Sequence, residues 1–134
     1  MKPRFADSGY FIALLNAGDS LHREALRLHS DGNNRIVTTE WVLTEVAAAF
    51  SNPLNRHLFE TLHRSLSRGR GVTMIESDPV LWHRGCDLYF SRPDKGWSLT
   101  DCISCVVMQD MGLEEALTPD HHFDQMGFVV LMKV

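Results

Sequence analysis

The sequence predicts an α/β fold: a three-layer α/β/α sandwich with a central, mostly parallel sheet. Two observations predict it. Short β-rich segments alternate with helical ones along the chain, and strands joined by helical crossovers lie parallel and are covered on both faces. No Pro/Gly/Ser-rich linker, internal repeat or low-complexity tract divides the 134 residues. Residues 1–134 therefore read as one domain, long enough to bury a core without a disulfide staple.

The elements follow in order. Arg4-Phe5-Ala6 is a short strand leading into Asp7. Ser8–Asn16 is a helix with an apolar face, stopped near Gly18, and Ser20–Ser30 is a second helical stretch ending near Asp31-Gly32. Arg35-Ile36-Val37-Thr38 is the next strand. Thr39 can cap a helix from Glu40 to about Phe50, because its hydroxyl accepts from a free first-turn N–H. Leu54, Leu58, Leu62 and Leu66 recur at helical spacing and mark one face of a helix over Leu54–Leu66. Gly69 and Gly71 punctuate before the strand Val72–Ile75. Asp78-Pro79 is a cap followed by a first-turn proline, which starts a helix through about Tyr89. Ser91–Gly96 is a loop. Ser98-Leu99-Thr100-Asp101 has the form of a capping box opening a helix to about Met111. Ala116-Leu117-Thr118 and Phe128–Met132 are the last two strands.

Composition narrows the function classes. Thirteen Lys and Arg against 17 Asp and Glu leave a net charge of −4 with the His neutral. That balance excludes a protein that holds nucleic acid by charge alone, though not an enzyme that meets it through a metal. The 44% hydrophobic and 22% charged fractions belong to a globular protein rather than a disordered one. The longest apolar run, near Tyr10–Leu15, is far short of the roughly 20 residues of a membrane span. Met1–Arg4 is basic and precedes apolar residues, but Asp7 interrupts the run and no small-x-small cleavage site follows. The segment reads as the first strand of the mature fold rather than a signal peptide. Three Cys (Cys86, Cys102, Cys105) suit a reducing cytoplasm better than a disulfide framework.

In parallel sheets, ligands gather beyond the carboxyl ends of the strands, so acids placed there are the first candidates for chemistry. Asp7 directly follows the first strand, and Asp120 follows the strand Ala116–Thr118 by two residues. Asp101 lies in the first turn of its helix. Glu45 lies inside the helix Glu40–Phe50, beside the apolar Val42, Val46 and Ala49. Singly, each has a purely structural role open to it: Asp101 as partner of Ser98, Asp7 and Asp120 as helix caps, Glu45 in an ion pair. Jointly, four carboxylates converging on one cleft would repel one another. A hard divalent cation with oxygen ligands, Mg²⁺ or Mn²⁺, resolves that repulsion.

Four segments resemble the PIN-domain family, in the family's order and from about residue 5 to residue 130. Phe5-Ala6-Asp7-Ser8-Gly9-Tyr10-Phe11-Ile12-Ala13-Leu14 resembles its opening. Thr38-Thr39-Glu40-Trp41-Val42-Leu43-Thr44-Glu45-Val46 resembles the segment with its second acid, and Ser98-Leu99-Thr100-Asp101-Cys102 the segment with its third. Leu117-Thr118-Pro119-Asp120-His121-His122-Phe123, then Gly127-Phe128, resembles its C-terminal end. The subgroup it is most similar to is the VapC-like toxins of toxin–antitoxin pairs. The resemblance implies a Mg²⁺- or Mn²⁺-dependent endoribonuclease leaving a 5′-phosphate and a 3′-hydroxyl. It implies Asp7, Glu45 and Asp101 as core acids, Asp120 as a more variable fourth, and Ser98 and Thr118 as supporting hydroxyls. It also implies a homodimer and inhibition by a small antitoxin chain. Tyr10–Leu14 and Ala47–Phe50 are candidate partner surfaces that serve equally well as core.

RNA must be held by something positive. Arg92 and Lys95 lie in the loop before Asp101, and Trp97 can stack a base. Arg64, Arg68 and Arg70 read as a solvated helix end. Cys102-x-x-Cys105 lacks the other half of a zinc set and reads as core. Glu60-x-x-His63 occurs once and reads as a surface pair. His121-His122 reads as a metal ligand or equally as a polar turn. Two other function classes stay open: a catalytically inactive PIN-fold binding module, and another acid-cluster phosphohydrolase. A phosphatase that needs a second Asp two residues after the first would find Gly9 there instead.

Overall fold

The computed structural model describes residues 1–133. In chain order the elements are β1 (Arg4–Ala6), α1 (Ser8–Leu15), α2 (His22–His29), β2 (Ile36–Thr39), α3 (Glu40–Ala49) and α4 (Arg56–Arg68). They continue with β3 (Val72–Ile75), α5 (Pro79–Ser91), α6 (Leu99–Met111), β4 (Glu115–Leu117), α7 (His122–Gln125) and β5 (Val129–Val130). The five strands form one sheet in the order β3-β2-β1-β4-β5, parallel throughout. β1 is central, with Phe5 paired to Val37 on one side and Ala116 on the other. Phe5 and Ala6 have no exposed surface, as a strand covered on both faces requires.

The strand order fixes where the helices go. β1 to β2 and β2 to β3 step one way across the sheet. β3 to β4 jumps back past β1, and β4 to β5 continues in the new direction. Parallel crossovers are almost always right-handed, so the change of direction moves the later helices to the opposite face. Accordingly α1 packs against α2 and α3, whereas α5 packs against α6 and α6 against α7. This is the α/β/α sandwich the sequence predicts. The reversal falls between β1 and β4. There the two outgoing chains diverge to opposite faces and open a crevice.

Local chemistry sets the helix ends. Thr39 Oγ1 accepts from Val42 N at 3.1 Å and starts α3. Asp78 accepts from Val80 N and Leu81 N ahead of α5. Ser98 and Asp101 form a reciprocal capping box on α6. Gly112, at φ 65°, ends α6, with the next N–H, Leu113, donating to Met108 O at 2.9 Å. Every residue from Asp101 to Met108 is buried. The close approach of α5 needs Gly85, whose added Cβ would lie 2.3 Å from Ile103 Cγ1. Cys102 and Cys105 are packed in this helix, and burial pushes the Cys102 thiol up to about 11.

Several boundaries differ from expectation. The leucine stripe does not carry a helix from Leu54: the Asn52 side chain accepts from Leu54 N, and Asn52 O accepts from Asn55 N and Arg56 N. That turn delays α4 to Arg56 and leaves Leu54 81% exposed. The last strand shrinks to Val129–Val130 because a short helix, α7, ends in a Gly127 turn in which Phe128 N donates to Phe123 O. Tyr10, Phe11, Ala13 and Phe50 are core, so those parts of the candidate partner surfaces face inward. Ala48 and Ala49 remain exposed.

Candidate metal centre

Asp7 leaves β1 at the crevice, and its N–H extends the ladder by donating to Leu117 O at 3.1 Å. It stands at the N-cap of α1, yet its side chain makes no capping hydrogen bond. Its carboxylate is held from across the crevice instead: Thr118 Oγ1 donates to Oδ2 at 3.0 Å. The same hydroxyl accepts from Asp120 N at 3.1 Å. One fully buried side chain at the end of β4 thus fixes two of the predicted acids.

Asp101 reaches the crevice from the first turn of α6. Its Oδ2 accepts from Ser98 N at 3.0 Å, and Ser98 Oγ accepts from Asp101 N at 3.0 Å. The purely structural reading of Asp101 is therefore correct for one oxygen, which leaves Oδ1 for the crevice. Asp120 is similar: its Oδ1 accepts from His122 N at 2.9 Å and starts the turn into α7.

Asp7, Asp101 and Asp120 each bring an oxygen to within 4.8 Å of the other two. Glu45 lies outside this close group. It faces the site from α3, half-buried, and its charge raises the affinity of both Asp7 and Asp101 for protons. Burial is the largest effect on Asp7, whose pKa is pushed up to about 7 despite a hydrogen bond from Ser8 N–H. The charges of Asp101 and Glu45 add to the rise. Asp101 is raised by burial, then by Asp120 and Glu45. Buried, mutually repelling carboxylates with no basic side chain bonded to Asp7 or Asp101 among the described hydrogen bonds are a fit for a hard divalent cation.

Gly9 and Thr38, given no site role from the sequence, also shape the crevice. An added Cβ at Gly9 would lie 2.8 Å from Pro119 Cδ, so only glycine lets the first turn of α1 close on the Asp120 loop. A glycine inside an apolar helix start was the available signal. Thr38 Oγ1 donates to Ala6 O at 2.8 Å and tethers the end of β1 beside Asp7.

The RNA-binding candidates fare differently. Trp97 is a correction: its ring is 7% exposed, its Nε1 donates to Gln125 Oε1 at 3.0 Å, and the Arg92 guanidinium lies 5.2 Å from its ring centre. Anchored so, it offers no free face to a base. Arg92 is held by Asp94 through two 3.0 Å contacts. Lys95 is half-buried and makes no ion pair among the described residues. It lines a groove of about 920 Å³ with Tyr89, Phe90, Arg92 and Ser98. Glu60 pairs with Arg64 rather than His63.

A family model described as PIN domain matches residues 4–129. The chain is 27% identical over 128 residues to the 23S rRNA-specific endonuclease VapC20 of Mycobacterium tuberculosis, a match covering 93% of this chain and 95% of that one. The fold is similar to the crystal structure of that VapC20, described as a Sarcin-Ricin loop cleaving toxin. The TM-score is 0.84 at 23% identity, covering 93% of this chain and 95% of the other. It is also similar to VapBC2 from Rickettsia felis, solved bound to a DNA fragment from its promoter, with a TM-score of 0.65 at 15% identity and 96% of each chain covered.

Proposed function

The chain belongs to the PIN-domain family, and from that premise we propose that it is a metal-dependent endoribonuclease, a single-domain toxin of a toxin–antitoxin pair. The observation that carries this reading is the meeting of Asp7, Asp101 and Asp120 oxygens within 4.8 Å at the strand-order reversal. The similarity to a protein named as a 23S rRNA-specific endonuclease supports RNA as the substrate.

Asp7 and Asp101 would hold Mg²⁺ or Mn²⁺, with Glu45 and Asp120 binding directly or through water. When bound there, such an ion would supply positive charge against a phosphate and make water more acidic. The chain's own residues arrange this. Thr118 fixes Asp7 through Oδ2, and Ser98 fixes Asp101 through Oδ2, so each carboxylate keeps its other oxygen and a set orientation. The buried setting of Asp7 and Asp101, 5% and 6% exposed, excludes bulk water and strengthens each charge interaction.

Lys95 and Arg92 meet the RNA backbone beside the centre. A cognate antitoxin and a second copy of the chain are its protein partners. Val80, Trp82, Tyr89 and Phe90, exposed on α5, support a pairing surface. Three free cysteines support a cytoplasmic setting.

The test is cleavage of total cellular RNA with Mg²⁺ or Mn²⁺, with Asp101→Asn as control. Asn keeps an acceptor for Ser98 N, so the variant folds and loses cleavage. A folded Asp101→Asn protein cutting at the wild-type rate overturns the assignment. Hydrolysis of phosphomonoesters but not RNA identifies a different phosphohydrolase. Metal binding with no cleavage of any RNA identifies an inactive binding module.

A further inference from the structure

His122 is the one non-acidic side chain among the described residues whose nitrogen stands against two acids of the centre. Its Nδ1 lies 3.0 Å from Asp120 Oδ1 and 3.7 Å from Asp101 Oδ2. The turn does not need the ring, because the His122 backbone N–H already holds Asp120 Oδ1 at 2.9 Å. The ring is nevertheless positioned. The His121 ring centre lies 4.4 Å away, and Gly96 faces Nε2, where an added Cβ would stand 3.5 Å off.

The 3.0 Å spacing to Asp120 Oδ1 suits neighbouring ligands on one ion. Two donors bonded at roughly 2.1 Å and at right angles to each other stand about 3 Å apart. Asp120, His121 and His122 bring ligand atoms within 4.8 Å of one another, as do Asp7, Asp101 and Asp120, and we propose that His122 Nδ1 joins the metal centre beside Asp120 as a nitrogen ligand, giving a mixed nitrogen–oxygen site that selects a transition-metal ion over Mg²⁺. The inference rests on the metal-centre reading above and refines which ion that centre takes. Imidazole binds transition metals readily, whereas Mg²⁺ keeps to oxygen and water. The tautomer required carries its proton on Nε2, on the Gly96 side. Asp120 then serves both the α7 turn and the metal.

Pulsed electron paramagnetic resonance on the Mn²⁺-loaded full chain reads the ligand directly. Wild-type protein is expected to show nitrogen-14 modulation from a bound imidazole. His122→Ala and His122→Asn lose it, while His121→Ala keeps it. In calorimetric titrations with Mn²⁺, Zn²⁺ and Mg²⁺, His122→Ala weakens Mn²⁺ and Zn²⁺ by about tenfold or more and Mg²⁺ by less than about threefold. His122→Asn can offer the ion only an amide oxygen, so nitrogen-14 modulation that persists in that variant would place its source elsewhere and overturn the inference. Mn²⁺ bound without nitrogen modulation, or modulation lost in His121→Ala instead, overturns it while the metal centre stands. Wild-type protein that binds none of the three ions overturns the metal centre as well.

Discussion

The hydroxyl of Thr118 donates to Asp7 and accepts from Asp120 N, so a single buried atom holds the carboxylate of one acid and the backbone of another that is distant in sequence. Thr118→Val keeps the shape and removes both bonds. We expect it to cost about 1–3 kcal/mol of stability, read in urea melts, and to weaken Mn²⁺ binding about tenfold. Asp7 gives a second prediction. Its carboxyl titrates near 7 in the folded chain against an ordinary value of 3.8. Between those values the folded state keeps a proton that the unfolded state has released. Asp7's contribution to metal-free stability is therefore full below about pH 4 and is lost as pH rises to 7, by about 4 kcal/mol at most. Asp7→Asn, which cannot ionise, should melt higher than wild type at pH 8 without divalent ions. The gap should close near pH 4. Equal melting temperatures at both pH values would remove burial as the cause.

At the scale of elements, the crevice depends on two close approaches. α1 closes on the loop after β4 through Gly9 and Pro119, and α5 closes on α6 through Gly85 and Ile103. The first touches the centre and the second does not. Gly9→Ala should reduce metal affinity, because Pro119 must shift and carries Asp120 with it. Gly85→Ala should lower the melting temperature by several degrees and leave the metal affinity of the folded protein near wild type. Calorimetry and thermal melts on the two variants separate these outcomes. The RNA path belongs to this scale too. Charge reversal at Lys95, which has no ion pair among the described residues, should weaken RNA binding and reduce its salt slope by about one. Reversal at Arg92 should do less in its own right, since Asp94 already neutralises it.

For the whole molecule, the net charge of −4 equals in number the four candidate site acids. Removing Asp7, Glu45, Asp101 and Asp120 from the 17 acids leaves 13, which equals the number of Lys and Arg. A divalent ion bound at the candidate centre would largely neutralise that acidic pocket. Metal binding and folding are then linked. Mn²⁺ at about 100 times its dissociation constant should add about 2.7 kcal/mol of stability, seen as a rise in melting temperature that Asp101→Asn abolishes.

Asp7, Asp101 and Asp120 were nominated by their places at strand and helix ends and by the family resemblance. The alternation of strands and helices, the Asp78-Pro79 start and the Ser98 capping box were determined by the sequence alone. Each depends on neighbours within a few positions, and short-range periodicity and capping report on nothing else. The α4 start at Arg56 and the four-residue α7 escaped it, because a local Asn52 turn overrode the leucine stripe and a single helical turn has no period to read. Where the carboxylates meet was decided only by the tertiary structure. Asp7 is 111 residues from Thr118, and what joins them is the pairing of β1 with β4 at the reversal of the sheet. The same long-range closure buried Trp97 and turned the His122 ring toward two acids, since packing distances across a sheet are set by the whole chain and not by any segment of it.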